Sequence, residues 1–393
     1  MSGKITVRGR VVLPDMILDD GAVSYENGVI TAVGRFSPEI ALESEVIDCG
    51  KNYVSPGFVD LHLHGGGGHD FMDGTVEAFL GAARLHAEHG TTSMLPTTLS
   101  CSDEELFRFL DTYKVAKKQN TNGADMIGVH LEGPYFAISQ KGAQDEKYIV
   151  PPVKEHYEKI LSYSDDIVRW TAASELPGAL QFGREVSQKG ILVSLGHSDA
   201  MYDDAKEAIS SGYSMLTHFY SGMGGLKRIN SYRYPGLIDA GYMLDFTVEL
   251  IADGCHLPIS LLEYIPKVKG VEKVTLCTDS SRGAGLPDGE NIILGSLANG
   301  QSAIIEDGVA KLPDRSAFAG SVATTDRLVR NMYKKAGFKL TDAVRMMTLT
   351  PADAVKNEKK GKLEVGRDAD IVVFDDDINI MKTIVRGNTI FEK

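Results

Sequence analysis

The sequence predicts an α/β protein in which a TIM-like (β/α)₈ barrel carries a small β-sandwich domain built from both ends of the chain. Three observations support this prediction. The middle of the chain alternates buried strand patterns with amphipathic helices, both ends contain short strands with tight turns, and 393 residues exceed what one core usually serves unless the fold is a large barrel. We place the β-sandwich at residues 1–54 and 355–393, and the barrel at residues 55–354.

The two ends of the chain are predicted to be β-rich. In "AVSYENGVITAVG", Asn27-Gly28 separates two alternating runs, which is a strong signal for a type I′ hairpin. Near the carboxyl end, strand patterns at 370–374 and 380–385 precede a predicted turn at Gly387-Asn388 and a last strand. Neither end has enough residues for a sheet with its own core, so we expect both ends to form one domain.

The central region repeats a strand and helix rhythm. Helical periodicity is present at 75–90, 177–190, 203–212 and 258–270. Buried strand patterns are present at 92–98, 125–134, 191–198, 213–219 and 273–281. Repeated βα units of this length favour a parallel sheet covered by helices, and several of them over about 300 residues fit a (β/α)₈ barrel.

Composition and charge narrow the classes of partner and compartment. The net charge of −13 argues against nucleic acid or an anionic membrane surface as the main partner. The four cysteines form no CxxC pair, the start of the chain lacks the apolar region of a signal peptide, and no stretch approaches the roughly 18 apolar residues that span a bilayer. We therefore expect a cytoplasmic protein without a membrane partner.

Polar residues that interrupt the apolar pattern share one location, the carboxyl end of a predicted barrel strand. They come from five separate segments and comprise His62, His64, Glu132, His197, His218 and Asp279. In a barrel these strand ends meet on one face, where the βα loops build the active site. We expect His130 to be a supporting or core residue, and His69, His86, His89 and His156 to be loop or helix-surface residues.

The residue types at this face predict a divalent-metal site. His62 and His64 obey the strand period of two, so both point to the same side. Imidazole nitrogens together with Glu132 are typical ligands of a zinc-type site with one position open for water. A bound ion lowers the pKa of water towards neutrality, and Asp279 is then a candidate for the group that accepts and returns its proton.

A local basic patch provides a candidate anion site. No acidic residue occurs between Glu207 and Asp239, and this gap holds Lys227, Arg228 and Arg233 among several glycines. Basic side chains and accessible backbone N–H groups can cradle a phosphate, although a solvated loop with incidental charge has the same composition. His256, in "ADGCHLP", is a second candidate for the same anion.

Taken together, these motifs resemble those of a known family. The His-x-His strand, "HLEGPY", "GHSDA", "LTHF", "IADGCH" and "CTDSS" resemble the amidohydrolase superfamily of metal-dependent hydrolases, and specifically its deacetylases of 6-phosphorylated amino sugars. The resemblance covers almost the whole chain, including "GKLEVGRDADIVVFD" near the end. "HLEGPY" followed by "KGAQD" is its most specific element, whereas the His-x-His pair occurs throughout the superfamily.

The resemblance implies roles for individual residues. Glu132, His197 and His218 match the principal metal ligands, and His62 and His64 match a pair that some members use for a second ion. One or two divalent ions per subunit are thus implied, with zinc favoured over iron or manganese, and Asp279 matches the catalytic aspartate. The implied substrate-binding residues are Ser221, Gly222, Arg233, His256, Gln144, Ala143 and Phe318. In the family the counterparts of Arg233 and His256 reach the phosphate across a dimer interface, which implies a homodimer.

Two departures from the family pattern leave the sugar open. The family often has Thr-His-Leu-Phe-Asn-Ala-Met where this chain has residues 217–223 as THFYSGM, and it commonly has histidine where Gln144 stands. The expected reaction is deacetylation of N-acetylglucosamine 6-phosphate, with the galactosamine epimer as the alternative. A cyclic amide hydrolase would usually need a modified strand-end lysine, which this chain lacks. A non-catalytic sugar-phosphate sensor would be expected to have lost ligands or base, and neither is lost.

Overall fold

The structure is a computed structural model that describes residues 3–393. Its first four strands are β1 (Lys4–Val12), β2 (Ile17–Glu26), β3 (Val29–Arg35) and β4 (Ser44–Pro56). Strand β1 pairs antiparallel with β2 and parallel with β4. Asn27 and Gly28 join β2 to β3 with φ angles of 50° and 80°, so the hairpin predicted at this position is confirmed.

The next thirteen strands include those of the barrel. They are β5 (Phe58–Leu63), β6 (Gly65–Gly66), β7 (His69–Asp70), β8 (Thr91–Pro96), β9 (Asp125–Met126), β10 (Val129–Glu132), β11 (Ile167–Ala172), β12 (Leu192–Leu195), β13 (Tyr213–Leu216), β14 (Lys227–Ile229), β15 (Tyr232–Tyr234), β16 (Thr247–Ile251) and β17 (Val274–Cys277). Strands β10, β11, β12, β13, β16 and β17 form one parallel run, and β5 pairs with β8.

Two seams close these runs into a barrel. A parallel bridge joins Thr97, after β8, to His130 in β10. On the other side the backbone N–H of Asp279, after β17, donates to the carbonyl of His62 in β5 at 2.8 Å. Eight parallel strands therefore surround one core, and the predicted (β/α)₈ barrel is confirmed.

The described part of the chain contains ten α-helices, which surround the barrel. They are α1 (Val76–Glu88), α2 (Asp103–Gln119), α3 (Lys154–Tyr163), α4 (Ala179–Gln188), α5 (Tyr202–Ser210), α6 (Leu237–Met243), α7 (Ile259–Lys269), α8 (Thr325–Arg330), α9 (Leu340–Met347) and α10 (Leu349–Ala354). The four helices predicted from periodicity correspond to α1, α4, α5 and α7. Within residues 3–393, no helix combines the length and the apolar character needed to cross a bilayer.

Helix α1 shows how local sequence sets each helix and its buried face. The Thr75 hydroxyl accepts a hydrogen bond from the N–H of Ala78 and caps the first turn. Phe79, Ala83 and His86 follow the helical period and face the core. The prediction that His86 is a loop or helix-surface residue is therefore wrong: the ring is fully buried, with Nε2 2.9 Å from the carbonyl of Gly65.

A small antiparallel sheet lies between the last barrel strand and α8. It consists of β18 (Asn291–Leu294), β19 (Gln301–Glu306) and β20 (Val309–Lys311). The last three strands, β21 (Ile371–Phe374), β22 (Ile380–Val385) and β23 (Asn388–Glu392), return to the beginning of the chain. They complete a seven-stranded sheet in the order β23-β22-β21-β4-β1-β2-β3.

This terminal sheet curls so that its two hairpin turns come together. The N–H of Ala369 donates to the carbonyl of Gly28, and the N–H of Gly387 donates to the carbonyl of Ala369. The predicted sandwich is thus one curled sheet enclosing Val7, Val23 and Val54. The turn before β23 consists of Arg386 and Gly387, both with positive φ, so the prediction of Gly387-Asn388 is wrong by one residue. The limits 1–54, 55–354 and 355–393 stay a prediction.

Candidate active site

Six polar side chains converge at the carboxyl end of the barrel. His62 lies in β5 with His64 just beyond it, Glu132 ends β10, and His197, His218 and Asp279 follow β12, β13 and β17. All six are buried, and Asp279 has the largest exposed fraction at 9%. His197, His218 and Asp279 have positive φ angles of 48°, 27° and 46°, an uncommon backbone conformation for residues other than glycine. Such conformations concentrate at functional sites.

Among the described residues, three groups of side chains could hold an ion, and two of them share Glu132; the third is His62, Glu249 and Cys277. Glu132, His197 and His218 form the first of the two groups that share Glu132. Nε2 of His197 and Nε2 of His218 each lie 3.2 Å from Oε1 of Glu132, and the two nitrogens are 3.1 Å apart. Nδ1 of His197 is 2.8 Å from the carbonyl of Gln140. Nδ1 of His218 is 3.1 Å from the carbonyl of Ser221.

These contacts determine the tautomer of both rings. A carbonyl oxygen can only accept a hydrogen bond, so each Nδ1 carries the hydrogen and each neutral ring presents an Nε2 lone pair. Two lone pairs and a carboxylate oxygen then face one another, an arrangement that requires a positive charge between them. Carbonyl groups that fix the remote nitrogen of a histidine are typical of metal sites, so this donor set fits a divalent ion.

His62, His64 and Glu132 form the second group. Nε2 of His62 lies 3.3 Å from Oε1 of Glu132, and Nε2 of His64 lies 3.3 Å from Oε2. Oδ1 of Asp279 is 3.4 Å and 3.2 Å from the same two nitrogens. Within the described chain, the buried Nε2 of His62 makes no hydrogen bond of acceptable geometry. Glu132 is common to both groups.

The electrostatics of the site favour positive charge. Burial opposes ionisation of Glu132, but the positive charge of His62 holds its pKa well below its ordinary value. Burial also opposes ionisation of Asp279, yet His62 and His64 lower its pKa. Burial lowers the pKa of His62 and of His64, but Glu132 and Asp279 raise these values to about 9 and about 10. Two ionised carboxylates thus attract a proton or a metal ion.

A cavity of about 270 Å³ opens directly above these groups. Its walls contain most of the predicted substrate-binding residues, namely Ala143, Gln144, Ser221, Gly222, His256 and Phe318. The structure does not bring Arg233 to this cavity. Arg233 lies with Lys227 and Arg228 on the exposed β14–β15 hairpin, where its guanidinium donates to the carbonyl of Ser231. The predicted basic patch is therefore outside the cavity of its own chain.

Gln144 and His256 are held by specific partners. The side-chain oxygen of Gln144 accepts from the N–H of Ser100 at 2.8 Å, and its nitrogen donates to Oε2 of Glu132 at 2.8 Å. Both ends of this amide are thus bound to protein groups, one of them a metal-ligand candidate. Nδ1 of His256 lies 2.8 Å from Oδ2 of Asp253, and its ring packs 4.8 Å from that of Phe318.

Two charged residues beneath the site were not predicted from the sequence. Arg169 in β11 and Glu249 in β16 are fully buried and form an ion pair. His130, predicted to be a supporting or core residue, is buried beside them and bonds Thr97 and Thr171. A signal was present in "DIVRWTA" and "FTVELIAD", because a charged residue in the middle of a buried strand needs a partner.

Comparisons with known proteins agree with one another. A model of the amidohydrolase family matches residues 53–390. A relative from Lysinibacillus sphaericus named N-acetylglucosamine-6-phosphate deacetylase is 33% identical over 392 residues, covering 98% of this chain and 95% of that protein. An N-acetylgalactosamine-6-phosphate deacetylase from Escherichia coli O157:H7 is 29% identical over 382 residues, covering 96% and 97%.

A solved structure shows the same arrangement of the chain. It is a variant of N-acetyl-D-glucosamine-6-phosphate deacetylase from Mycobacterium smegmatis in complex with N-acetyl-D-glucosamine-6-phosphate. The TM-score is 0.90 at 27% identity, and the match covers 99% of this chain and 100% of that one. The similarity therefore includes the terminal sheet as well as the barrel.

Proposed function

The chain belongs to the amidohydrolase family, and on that premise we propose that it removes the N-acetyl group from N-acetylglucosamine 6-phosphate, giving glucosamine 6-phosphate and acetate. The observation that carries the proposal is the convergence of four imidazoles on Glu132, beside Asp279, at the bottom of an open cavity. The names of the relatives from Lysinibacillus sphaericus and Mycobacterium smegmatis support the substrate.

Glu132, His197 and His218 would hold one divalent ion, and His62, His64 and Glu132 a second. We propose zinc, because imidazole and carboxylate ligands suit it. When bound, such an ion polarises a carbonyl group and lowers the pKa of water. The remaining steps depend on residues of this chain.

Asp279 is proposed to move the proton. Its carboxylate is ionised and lies at the cavity, so it can accept a proton from the water that attacks the acetyl carbon. It then returns this proton to the amide nitrogen, because an amine anion is too basic to leave. The carbon–nitrogen bond breaks, acetate takes the hydroxyl oxygen, and the sugar keeps the amine.

We propose that the cavity walls orient the substrate through its phosphate. The Ser221–Gly222 loop and His256 lie on these walls and can donate hydrogen bonds to an anion. Phosphate binding would hold the acetamide group against Glu132 and Asp279 and thereby lower the entropic part of the barrier. Arg233, exposed on its hairpin, is proposed to reach the phosphate of a second subunit in a homodimer.

The galactosamine epimer is the second candidate substrate. It is favoured by the name of the Escherichia coli relative and by Gln144, whose amide is bound to Ser100 and Glu132 where family members commonly have histidine. A cytoplasmic location is proposed from the phosphorylated substrate and from the four cysteines, all of which are free thiols.

An acetate-release assay tests the proposal. The substrates are the two N-acetylhexosamine 6-phosphates and their unphosphorylated forms, assayed on native, chelator-treated and zinc-reloaded enzyme. We expect N-acetylglucosamine 6-phosphate to have the highest kcat/KM, by about tenfold or more over the free sugar. Chelation should abolish activity and zinc should restore it.

Each other result contradicts a defined part of the proposal. No acetate from any substrate contradicts the deacetylase function, and faster release from the galactosamine epimer favours the alternative. Equal rates with and without phosphate contradict the role of the Ser221–Gly222 loop and His256. A monomer in sedimentation velocity at assay concentration contradicts the homodimer and the role of Arg233.

A further inference from the structure

Arg169 is bound on every side within the barrel. It lies in β11 with no exposed surface, and all five N–H donors of its guanidinium are used. The acceptors are Ser194 Oγ at 3.1 Å, the Leu61 carbonyl at 3.2 Å, Thr217 Oγ1 at 3.0 Å, and both carboxylate oxygens of Glu249. These five hydrogen bonds fix the orientation of the Arg169 guanidinium relative to the Glu249 carboxylate.

Glu249 connects this pair to both metal-ligand groups. It lies in β16 and is fully buried. Besides the bond from Arg169, its Oε2 lies 3.1 Å from Nδ1 of His62 and accepts from the backbone N–H of His218 at 3.1 Å. One carboxylate oxygen thus contacts one residue from each group.

The contact with Glu249 determines which nitrogen of His62 faces the site. Both oxygens of Glu249 accept from the guanidinium of Arg169, and Oε2 also accepts from the backbone N–H of His218, so this carboxylate faces His62 as an acceptor. Nδ1 of His62 therefore carries a hydrogen, and Nε2 faces Glu132 and Asp279. His64 differs, because its buried Nδ1 has no hydrogen-bond partner within residues 3–393.

Stabilisation of the fold alone does not explain why Arg169 and Glu249 are buried as an ion pair. A buried ion pair can often be replaced by packed apolar residues at no loss of stability. A carboxylate behind a metal-ligating histidine, in contrast, fixes the ring and raises its basicity, and changes to such partners usually lower metal affinity about 10- to 100-fold.

We propose that Glu249, held in place by Arg169, is a positioning residue that orients His62 for the ion shared with His64 and Glu132. This inference rests on the metal site of the proposed function, but not on the identity of the sugar. Loss of the Glu249 charge should therefore weaken zinc binding by His62, His64 and Glu132 more than zinc binding by Glu132, His197 and His218.

Zinc titration of the metal-free enzyme against a chromogenic chelator tests the inference. His64→Asn and His197→Asn identify which binding step belongs to which group. Glu249→Gln is expected to raise the Kd of the His64-dependent step about 10- to 100-fold and to change the His197-dependent step much less. Equal Kd values for wild type and Glu249→Gln at the His64-dependent step, or no step that depends on His64, would overturn the inference.

Asp326→Asn is a matched control. Asp326 is also a buried carboxylate between a histidine and an arginine, lying 3.1 Å from Nδ1 of His89 and 3.1 Å from Nη2 of Arg330, but it is not in the cavity wall. It should leave both zinc steps unchanged. If it weakens zinc binding as Glu249→Gln does, general destabilisation explains the effect and the inference is overturned.

A second measurement, the tautomer of His62 in the wild-type enzyme, needs no variant and therefore tests the inference even if Glu249→Gln does not fold. In ¹⁵N-histidine spectra of the zinc-loaded wild type, His62 should carry its hydrogen on Nδ1, and the opposite tautomer would overturn the inference. Acetate release from the same samples reports on the proposed function separately. An enzyme inactive on all sugars that still shows the Glu249 effect contradicts the function and supports this inference.

Discussion

Asp279 and Glu132 are the two carboxylates of the site, and their surroundings separate their roles. The side chain of Glu132 is 3% exposed and contacts all four imidazoles, whereas that of Asp279 is 12% exposed and contacts only His62 and His64, through Oδ1. Asp279 therefore keeps access to the cavity that a group exchanging protons with substrate requires.

Replacing Asp279 by Asn is expected to lower kcat about 10²- to 10⁴-fold, because the amide cannot accept the proton of the attacking water. Acetate release measures kcat, and zinc content measured on the same samples shows whether the site stays loaded. Asp245→Asn is the control, since Asp245 is 82% exposed and paired with Lys273 at the surface. A kcat for Asp279→Asn near that of this control would show that another group moves the proton.

Residues at strand ends could be placed together from the sequence, whereas the mid-strand ion pair of Arg169 and Glu249 could not. His62, Glu132 and His197 could be placed together because the carboxyl ends of parallel strands meet on one face. Arg169 and Glu249 lie within buried strands, and only the packing across the barrel shows that they meet. Arg233 was recognised by its charge, but the orientation of its hairpin depends on tertiary contacts.

At the scale of secondary-structure elements, the β18–β20 sheet is tied to the barrel by Arg282. This buried guanidinium donates to the carbonyls of Ile293 at 2.6 Å, Gly68 at 3.0 Å and Gly295 at 2.8 Å, and contacts Asp73 at 2.8 Å. Leu294, between two of these carbonyls, is part of the cavity wall. Arg282 thus links the shape of the cavity to the position of the sheet.

Arg282→Met is expected to loosen the β18–β20 sheet, because it leaves buried carbonyls without donors. An unsatisfied buried group costs about 1–3 kcal/mol, so the free energy of local opening should fall by roughly 2–3 kcal/mol. This corresponds to amide exchange about 30- to 150-fold faster over residues 291–311. KM should rise as well. Hydrogen exchange measures the effect, with Arg315→Met as control because Arg315 is exposed and bonds Glu306 and the carbonyl of Pro313, neither of which belongs to the barrel. Unchanged exchange would contradict the role of Arg282.

Hairpin turns could be predicted where the turn residues themselves are typical of a tight turn. The Asn27-Gly28 hairpin follows from two adjacent residues that accept positive φ, whereas arginine at the first position of the Arg386-Gly387 turn is not typical of such turns. The β19–β20 hairpin was missed although Asp307-Gly308, with φ of 57° and 72°, is a usual turn pair. That signal was readable from the sequence.

At the scale of the whole molecule, the terminal sheet joins strands more than 300 residues apart. The prediction of one β-rich unit from both ends followed from the small size of each end. The pairing of β4 with β21 and the curling of the sheet could not be predicted, because they depend on contacts between distant segments. The same holds for the ion cluster that connects this sheet to the barrel.

Lys360 is the centre of that cluster. Only 2% of its side chain is exposed, and Nζ lies 2.7 Å from Asp370, 2.9 Å from Asp368 and 3.0 Å from Asp125. Asp368 and Asp370 precede β21 of the terminal sheet, whereas Asp125 belongs to β9, which pairs with barrel strand β8. Burial raises the pKa of Asp370, and the charge of Lys360 partly offsets this effect.

Lys360→Met is expected to lower the free energy of unfolding by about 3–5 kcal/mol near neutral pH, because three carboxylates then lose their buried cation. Without Lys360 the folded-state pKa of Asp370 rises further above its unfolded value, so the loss is largest above the folded pKa and shrinks as pH falls towards about 4. Urea unfolding followed by the single tryptophan, Trp170, measures this at several pH values. The matched control is Lys362→Met, which removes only a partly exposed pair with Glu364. Equal losses for the two variants, or a loss that grows as pH falls, would contradict a joining role for Lys360.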